Sequence, residues 1–130
     1  MKKEFVIKET KGFSFGDRLR SFRFALEGLS QFFSGQHNAF IHLFFTLAVF
    51  AAAIFFRISR MEFAAVIIAA GFVWAAELFN TAVENLADKI TTEFDPKIKL
   101  IKDVSAAAVL ISAGSAALVG MIIFLPKILP

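Results

Sequence analysis

From residue 104 to residue 125 the chain runs 22 residues without a charged side chain, and that run limits the fold more than any other feature. As a helix it would measure about 33 Å, against a bilayer hydrocarbon core of about 30 Å. Backbone polar groups in lipid must be satisfied inside the segment, so a run of this kind is expected to span as an α-helix. A second run, residues 39–56, is 18 residues long and is interrupted only by His42 and Thr46. A third, residues 63–76, has 14 residues without a charge and is too short to cross alone. Helical character continues from it through Glu77, Asn80 and Glu84 to about Thr91 with no Gly or Pro, so the middle span is expected over 63–91. The composition agrees: 58% hydrophobic residues and a mean hydropathy of +0.70 exceed what a globular core of 130 residues could bury. The expected fold is an all-α membrane protein with three transmembrane helices.

Ahead of the spans, residues 1–12 are polar and Lys-rich, with no apolar stretch before a small-residue cleavage site. They are expected to form a loose tail and not a signal peptide. From there Phe15, Leu19, Phe22, Leu26, Leu29 and Phe33 recur at alternating spacings of four and three, one stripe of a helix. Arg18, Arg20, Arg23 and Glu27 fall largely off that stripe. Residues 13–35 are therefore expected to form an amphipathic helix, lying in the membrane interface, packed on the bundle, or both. Residues 13–130 make one domain, punctuated at Asp95-Pro96 and stopped at Pro126. The small residues at 105–108 and 113–117, with Gly120, suit close helix–helix contact, including contact between subunits of an oligomer. A net charge of +3 is too weak a bias for a nucleic-acid partner, and the absence of cysteine excludes disulfides and thiolate metal sites.

Lys and Arg counts set the expected orientation. The tail and first helix carry seven (Lys2, Lys3, Lys8, Lys11, Arg18, Arg20, Arg23) and the second connection four (Lys89, Lys97, Lys99, Lys102), against three on the other side (Arg57, Arg60, Lys127). Eleven against three puts the N-terminus and the 88–103 connection in the cytoplasm and the C-terminus outside, in a plasma (inner) membrane.

The chemistry-bearing residues lie on the middle span. At about 100° per residue, Glu77, Asn80, Glu84 and Asp88 fall within an arc of roughly 80° on an otherwise apolar helix. If Asp88 marks the interface, Glu84 lies about 6 Å and Glu77 about 16 Å below it. An acidic group at that depth costs at least about 2.5 kcal/mol, so it needs a partner, a cation or a function. Paired carboxylates could simply fix assembly, but one ion pair would do that, and three carboxylates with an Asn exceed the need. One carboxylate can hold a divalent cation while a deeper one accepts a proton. Lys102 and Asp103, at the start of the third span, could add an ammonium for phosphate and a further carboxylate. Phosphoryl transfer fits this set, because its catalysis is mostly positioning and charge neutralisation. A proton or ion pathway is the competing use.

The run Glu77-Leu78-Phe79-Asn80-Thr81-Ala82-Val83-Glu84, followed by Asp88, and Lys102-Asp103 leading into Ser105-Ala106-Ala107-Ala108-Val109-Leu110, resemble the prokaryotic diacylglycerol kinases. These are small trimeric membrane lipid kinases that include undecaprenol kinases. The likeness covers the order and spacing of motifs from about Arg18 to Pro126. It implies ATP-dependent phosphorylation of a lipid hydroxyl, on diacylglycerol or undecaprenol, with Mg²⁺, at sites shared between the subunits of a homotrimer. By the resemblance Glu77 is the base that activates the lipid hydroxyl and Glu84 a Mg²⁺ ligand, with Gln36 at the second ligand position. Arg18, Phe24, Glu93, Asp95, Lys102 and Asp103 would bind nucleotide, and Asn80, Asp88 and Glu27 would support the site or the lipid.

Three positions depart from the family's pattern. Gln36 stands where members have a Glu, Phe24 where many have a Tyr, and Phe40 where related sequences often carry an Arg. Gln36 keeps a carbonyl oxygen and loses the charge, which implies an attenuated enzyme or, at the limit, an inactive member that binds lipid or acts as a scaffold. His37 and His42 are read as hydrogen-bonded structural residues in preference to ligands, and Trp74 as packing.

Overall fold

In the computed structural model, which describes residues 14–35 and 37–129, four helices follow one another: α1 (Phe15–Gly35), α2 (His37–Phe55), α3 (Arg60–Ile90) and α4 (Pro96–Ile128). All regular structure among the described residues is helical, and α2, α3 and α4 are each long and apolar enough to cross a membrane. The N-terminal tail, Gln36 and the side chain of His37 lie outside the described residues. With 31 and 33 residues, α3 and α4 measure about 46 and 50 Å, so both outrun a hydrocarbon core of about 30 Å.

The helix ends differ from the expected spans for identifiable reasons. Helix α1 starts at Phe15, where the Ser14 hydroxyl accepts from the Asp17 N–H at 3.3 Å. Helix α3 starts at Arg60 and not at residue 63. The Ser59 hydroxyl accepts from the Glu62 N–H at 3.3 Å while the Glu62 carboxylate accepts from the Ser59 N–H at 2.6 Å. That reciprocal capping box draws Arg60 and Glu62, which precede the expected span, into the first turn of the helix. At its other end α3 stops at Ile90, with Thr91 as the C-cap.

The largest correction is at α4, expected from residue 104 and found from Pro96. Asp95 Oδ1 accepts from the N–H groups of Lys97 at 2.7 Å and Ile98 at 3.1 Å, and Pro96 takes the first helical position, where its missing N–H costs nothing. The residues 96–103, expected in a connection, are therefore two solvated turns of the helix. Nor does Pro126 stop it: the helix runs on to Ile128, and the Leu129 N–H still reaches the Leu125 carbonyl at 3.0 Å. A proline in the last turn forfeits one bond without breaking the ladder around it.

Helix α2 ends at Phe55 in a turn closed by two bonds, Ile58 N–H to the Ala53 carbonyl and Arg57 N–H to the Ile54 carbonyl, both 3.2 Å. This is a Schellman motif, with Ile58 packed back against the core cluster that includes Ala53. Its left-handed position is Arg57, with φ of 49°, where a side chain other than glycine costs roughly 1–2 kcal/mol. Arg57→Gly is accordingly expected to raise stability by about 1 kcal/mol, read as a higher thermal midpoint in detergent with the helix content unchanged. A lower midpoint would mean that the guanidinium makes contacts worth more than the backbone strain.

Helices α3 and α4 pack on each other most extensively, with α2 laid against α3 and α1 against α2. The buried core, Ala53, Val66, Ile123 and Phe124 ringed by Val49, Phe50, Phe56 and Ile58, sits at the end of the bundle where α2 turns into α3. The Lys127–Glu62 ion pair, at 3.3 Å, ties α4 to α3 at that same end. Gly114 and Gly120 face open space within the chain: a methyl group at either would meet nothing within 4 Å. The apolar core thus anchors one end, and the polar residues occupy the other.

Candidate functional site

The polar stripe of α3 divides between two neighbours. At its deep end Glu77 is buried, 4% exposed, and faces α2. Its Oε1 lies 2.6 Å from His42 Nε2. A hydrogen bond to a charged group contributes about 1.5–3 kcal/mol, comparable to the cost of about 2.5 kcal/mol for placing a carboxylate in the bilayer. His42 therefore supplies the partner that a deep acidic residue requires.

A second hydrogen-bonded pair braces the first. Trp74 Nε1–H donates to Thr46 Oγ1 at 3.0 Å, and the Thr46 hydroxyl donates to the His42 carbonyl at 2.7 Å. His42 and Thr46 are four apart on α2, and Trp74 and Glu77 three apart on α3, so two single helix faces meet. Helix α1 closes this end: Phe32, 5% exposed, and Phe33 set their rings 6.2 and 5.5 Å from Trp74, whose indole meets the His42 imidazole edge-on at 6.4 Å. An apolar cleft of about 440 Å³ runs from His42 and Thr46 between α2, α3 and α4, past Val66, Val73 and Ala117.

From the next turn on, beginning at Asn80, the stripe faces α4. Ser105 Oγ lies 2.7 Å from Asn80 Oδ1 and 2.9 Å from the carbonyl of Lys102; with its one proton on the shorter contact it turns the Asn80 amide so that Nδ2–H donates to Glu84 Oε1 at 3.2 Å. One turn further, Lys102 Nζ donates to Asp88 Oδ1 at 2.9 Å, across the two helices. The rise along α3 puts Glu84 about 10 Å beyond Glu77 and Asp88 about 6 Å beyond Glu84. This order gives one deep carboxylate, one partly buried carboxylate with an oriented amide, and an ion pair at the mouth. Among the described residues no group of three or more acidic or His side chains forms a ready-made metal cage. Glu84 nevertheless suits Mg²⁺, which takes one or two carboxylates and completes its shell with water and substrate phosphates.

Of the residues proposed from sequence, the structure brings together Glu77, Asn80, Glu84, Asp88 and Lys102. Of the others, Gln36 lies outside the described residues, and the rest hold other positions. Arg18 is in the first turn of α1; Glu27 pairs with Arg23 at 3.0 Å; Phe24 is 54% exposed, with the Arg23 guanidinium 5.8 Å from its ring centre. Glu93 is exposed in the loop, Asp95 spends its carboxylate on capping α4, and Asp103 pairs with Lys99 on its own helix. Sequence reasoning passed over His42, Thr46, Trp74 and Ser105 as parts of the site. The available signal was spacing: His42 and Thr46 are the polar interruptions of the first apolar run and share one face.

The family model for prokaryotic diacylglycerol kinase matches residues 23–124. The chain is 36% identical over 112 residues to a diacylglycerol kinase of Synechocystis sp., a match covering 85% of this chain and 64% of that protein. It is 31% identical over 109 residues to an undecaprenol kinase of Bacillus subtilis, covering 84% of this chain and 89% of that protein. The chain therefore spans less than two thirds of the length of the first relative and most of the second. With the family model covering α2, α3 with its polar stripe, and α4 as far as Phe124, the chain belongs to the prokaryotic diacylglycerol kinase family.

Proposed function

We propose that this protein is an integral membrane lipid kinase, transferring the γ-phosphoryl group of ATP to the primary hydroxyl of diacylglycerol or a polyprenol. Family membership supports the reaction class, and the single structural observation that carries the reading is the buried Glu77 carboxylate, about 10 Å along α3 from Glu84. A lipid head entering from the bilayer meets Glu77 first, while ATP approaches from the charged end. The Glu77 carboxylate takes the proton of the lipid hydroxyl. The freed oxygen bonds to the γ-phosphorus, and the bond from that phosphorus to the β,γ-bridging oxygen breaks, leaving ADP. Glu84 would hold Mg²⁺, whose charge neutralises the phosphate oxygens. Lys102, oriented by Asp88, offers an ammonium at the mouth. Asn80 and Asp88 act as supports.

The cytoplasmic side is the side of the polar stripe, by the excess of Lys and Arg there, and the membrane is the plasma membrane of a prokaryote. The apolar stripe of α1, with Phe15, Leu19 and Phe22 exposed beside Arg18, Arg20 and Arg23, supports seating of that helix in the interface. The open faces at Gly114 and Gly120 leave room for a second copy of the chain, which supports a homotrimer with sites shared between copies. The deciding experiment is Mg²⁺-dependent transfer of labelled phosphate from ATP, run separately with diacylglycerol and undecaprenol. Transfer to neither would sink the kinase reading in favour of a lipid-binding role.

Gln36 adds a quantitative expectation. Replacing one of two carboxylates by an amide removes an attraction of about 4 kcal/mol for a unit charge at 4 Å and an effective dielectric of 20. The native chain should need unusually high Mg²⁺, and Gln36→Glu should lower the half-saturating concentration at least about tenfold. Turnover against Mg²⁺ at saturating ATP measures both. Equal and efficient activity in the two forms would take Gln36 out of the metal site.

A further inference from the structure

We propose that His42 is the positioning residue of the transfer step: its Nε2–H holds Glu77 Oε1, so that Oε2 is presented to the lipid hydroxyl. The inference rests on the reading of Glu77 as the base. To accept a proton Glu77 must be ionised, and an ionised carboxylate only accepts hydrogen bonds. The 2.6 Å contact with His42 then requires the imidazole to carry its proton on Nε2. Among the described residues, His42 is the hydrogen-bond partner of Glu77.

The arrangement restricts what a free carboxylate does badly. The last torsion of a glutamate is broad and nearly two-fold, so an unheld carboxylate spreads its two oxygens over many directions. A donor at Oε1 narrows that spread without taking Oε2. The ring that donates is itself fixed: Trp74 lies edge-on to it, and the indole N–H is tied through Thr46 to the carbonyl of His42. Phe32 and Phe33 bring α1 against the same indole. The base is therefore aimed by residues of three helices, and the aim is set by one hydrogen bond. In the step itself the lipid O–H bond breaks and its proton goes to Glu77 Oε2. The new O–P bond forms as ADP leaves, and the proton then passes to water. His42 keeps its own proton throughout.

The test uses full-length protein in mixed micelles, with kcat and KM measured for lipid and for ATP-Mg. His42→Leu is expected to lower kcat by about 100-fold, the loss typical of a reacting group displaced by an ångström, with both KM values nearly unchanged. His42→Gln, whose amide nitrogen reaches about as far as Nε2, should recover most of that loss. Should the leucine form not extract as a folded protein, His42→Asn takes its place, because its shorter amide cannot reach Oε1 and the same loss is expected. Full activity without the imidazole, an equal loss in the glutamine form, or a rise in KM with kcat intact would each overturn the proposal. Glu77→Gln in the same assay separates the two readings. If it is active, the base assignment fails and takes His42 with it; if it is inactive while His42→Leu is active, the positioning role alone fails.

Discussion

Glu77→Gln is expected to reduce lipid phosphorylation by about 10²–10⁴-fold, the usual contribution of a general base, while the protein extracts, folds and assembles as before. The substitution keeps the size of the side chain and an oxygen that can accept from His42 Nε2–H at the 2.6 Å contact. What it removes is the lone pair that takes the proton and the charge that the bilayer disfavours. Since a carboxylate at this depth costs at least about 2.5 kcal/mol, the glutamine form should be no less stable, and its thermal midpoint in detergent should hold or rise. A structural role for Glu77 predicts the opposite pattern, with lost assembly and activity falling only with the folded fraction. Retention of more than about 5% of wild-type turnover would remove Glu77 from the mechanism, since even the low end of a base's contribution exceeds that.

How much of this is legible in the sequence depends on what each residue reports. The apolar run at 104–125 reported membrane thickness, so the existence of the third span was plain, but it said nothing of helix length. Lys97, Lys99, Lys102 and Asp103 belong to the same helix, in the turns ahead of the apolar run. The signals that set its true start were the cap Asp95 and the first-turn Pro96, which look the same in sequence whether they open a helix or break a chain. The spacing of Glu77, Asn80, Glu84 and Asp88 reports a shared face, because helical geometry is fixed by the backbone. It does not report which neighbour each residue meets: Glu77 meets α2, whereas Asn80 and Asp88 meet α4. His42 shows the limit most clearly. Its partner is 35 residues away, and a solitary imidazole in an apolar run carries no local mark of what lies across the helix interface. Ser105 is similar, since in a stretch of small residues a hydroxyl reads as a packing surface until Asn80 is seen opposite it.

Glu84→Ala tests the other half of the site, and a weakening of ATP-Mg binding by more than about 100-fold is expected, because even the outer partners of a metal typically contribute 10–100-fold. The fold should survive. Glu84 is tied to its surroundings by the Asn80 contact at 3.2 Å, and Asn80 keeps its stronger anchor, the 2.7 Å bond from Ser105. Removing a partly buried acidic group also relieves a desolvation cost, so extraction and oligomeric state should be unchanged. Ser105→Ala provides the graded companion. Without the hydroxyl that donates to Oδ1, the Asn80 amide loses the bond that turns Nδ2–H toward Glu84, and the metal requirement should rise by less than in Glu84→Ala while kcat at saturating Mg²⁺ is kept. On the proposed reading the two variants would order the cluster: Glu84 would act on the cation, Asn80 would orient Glu84, and Ser105 would orient Asn80. The assembly reading of the carboxylate stripe expects a different order. It has Glu84→Ala dispersing the oligomer with ATP-Mg affinity intact, and Mg²⁺ titration alongside native-state sizing of the same preparation distinguishes the two.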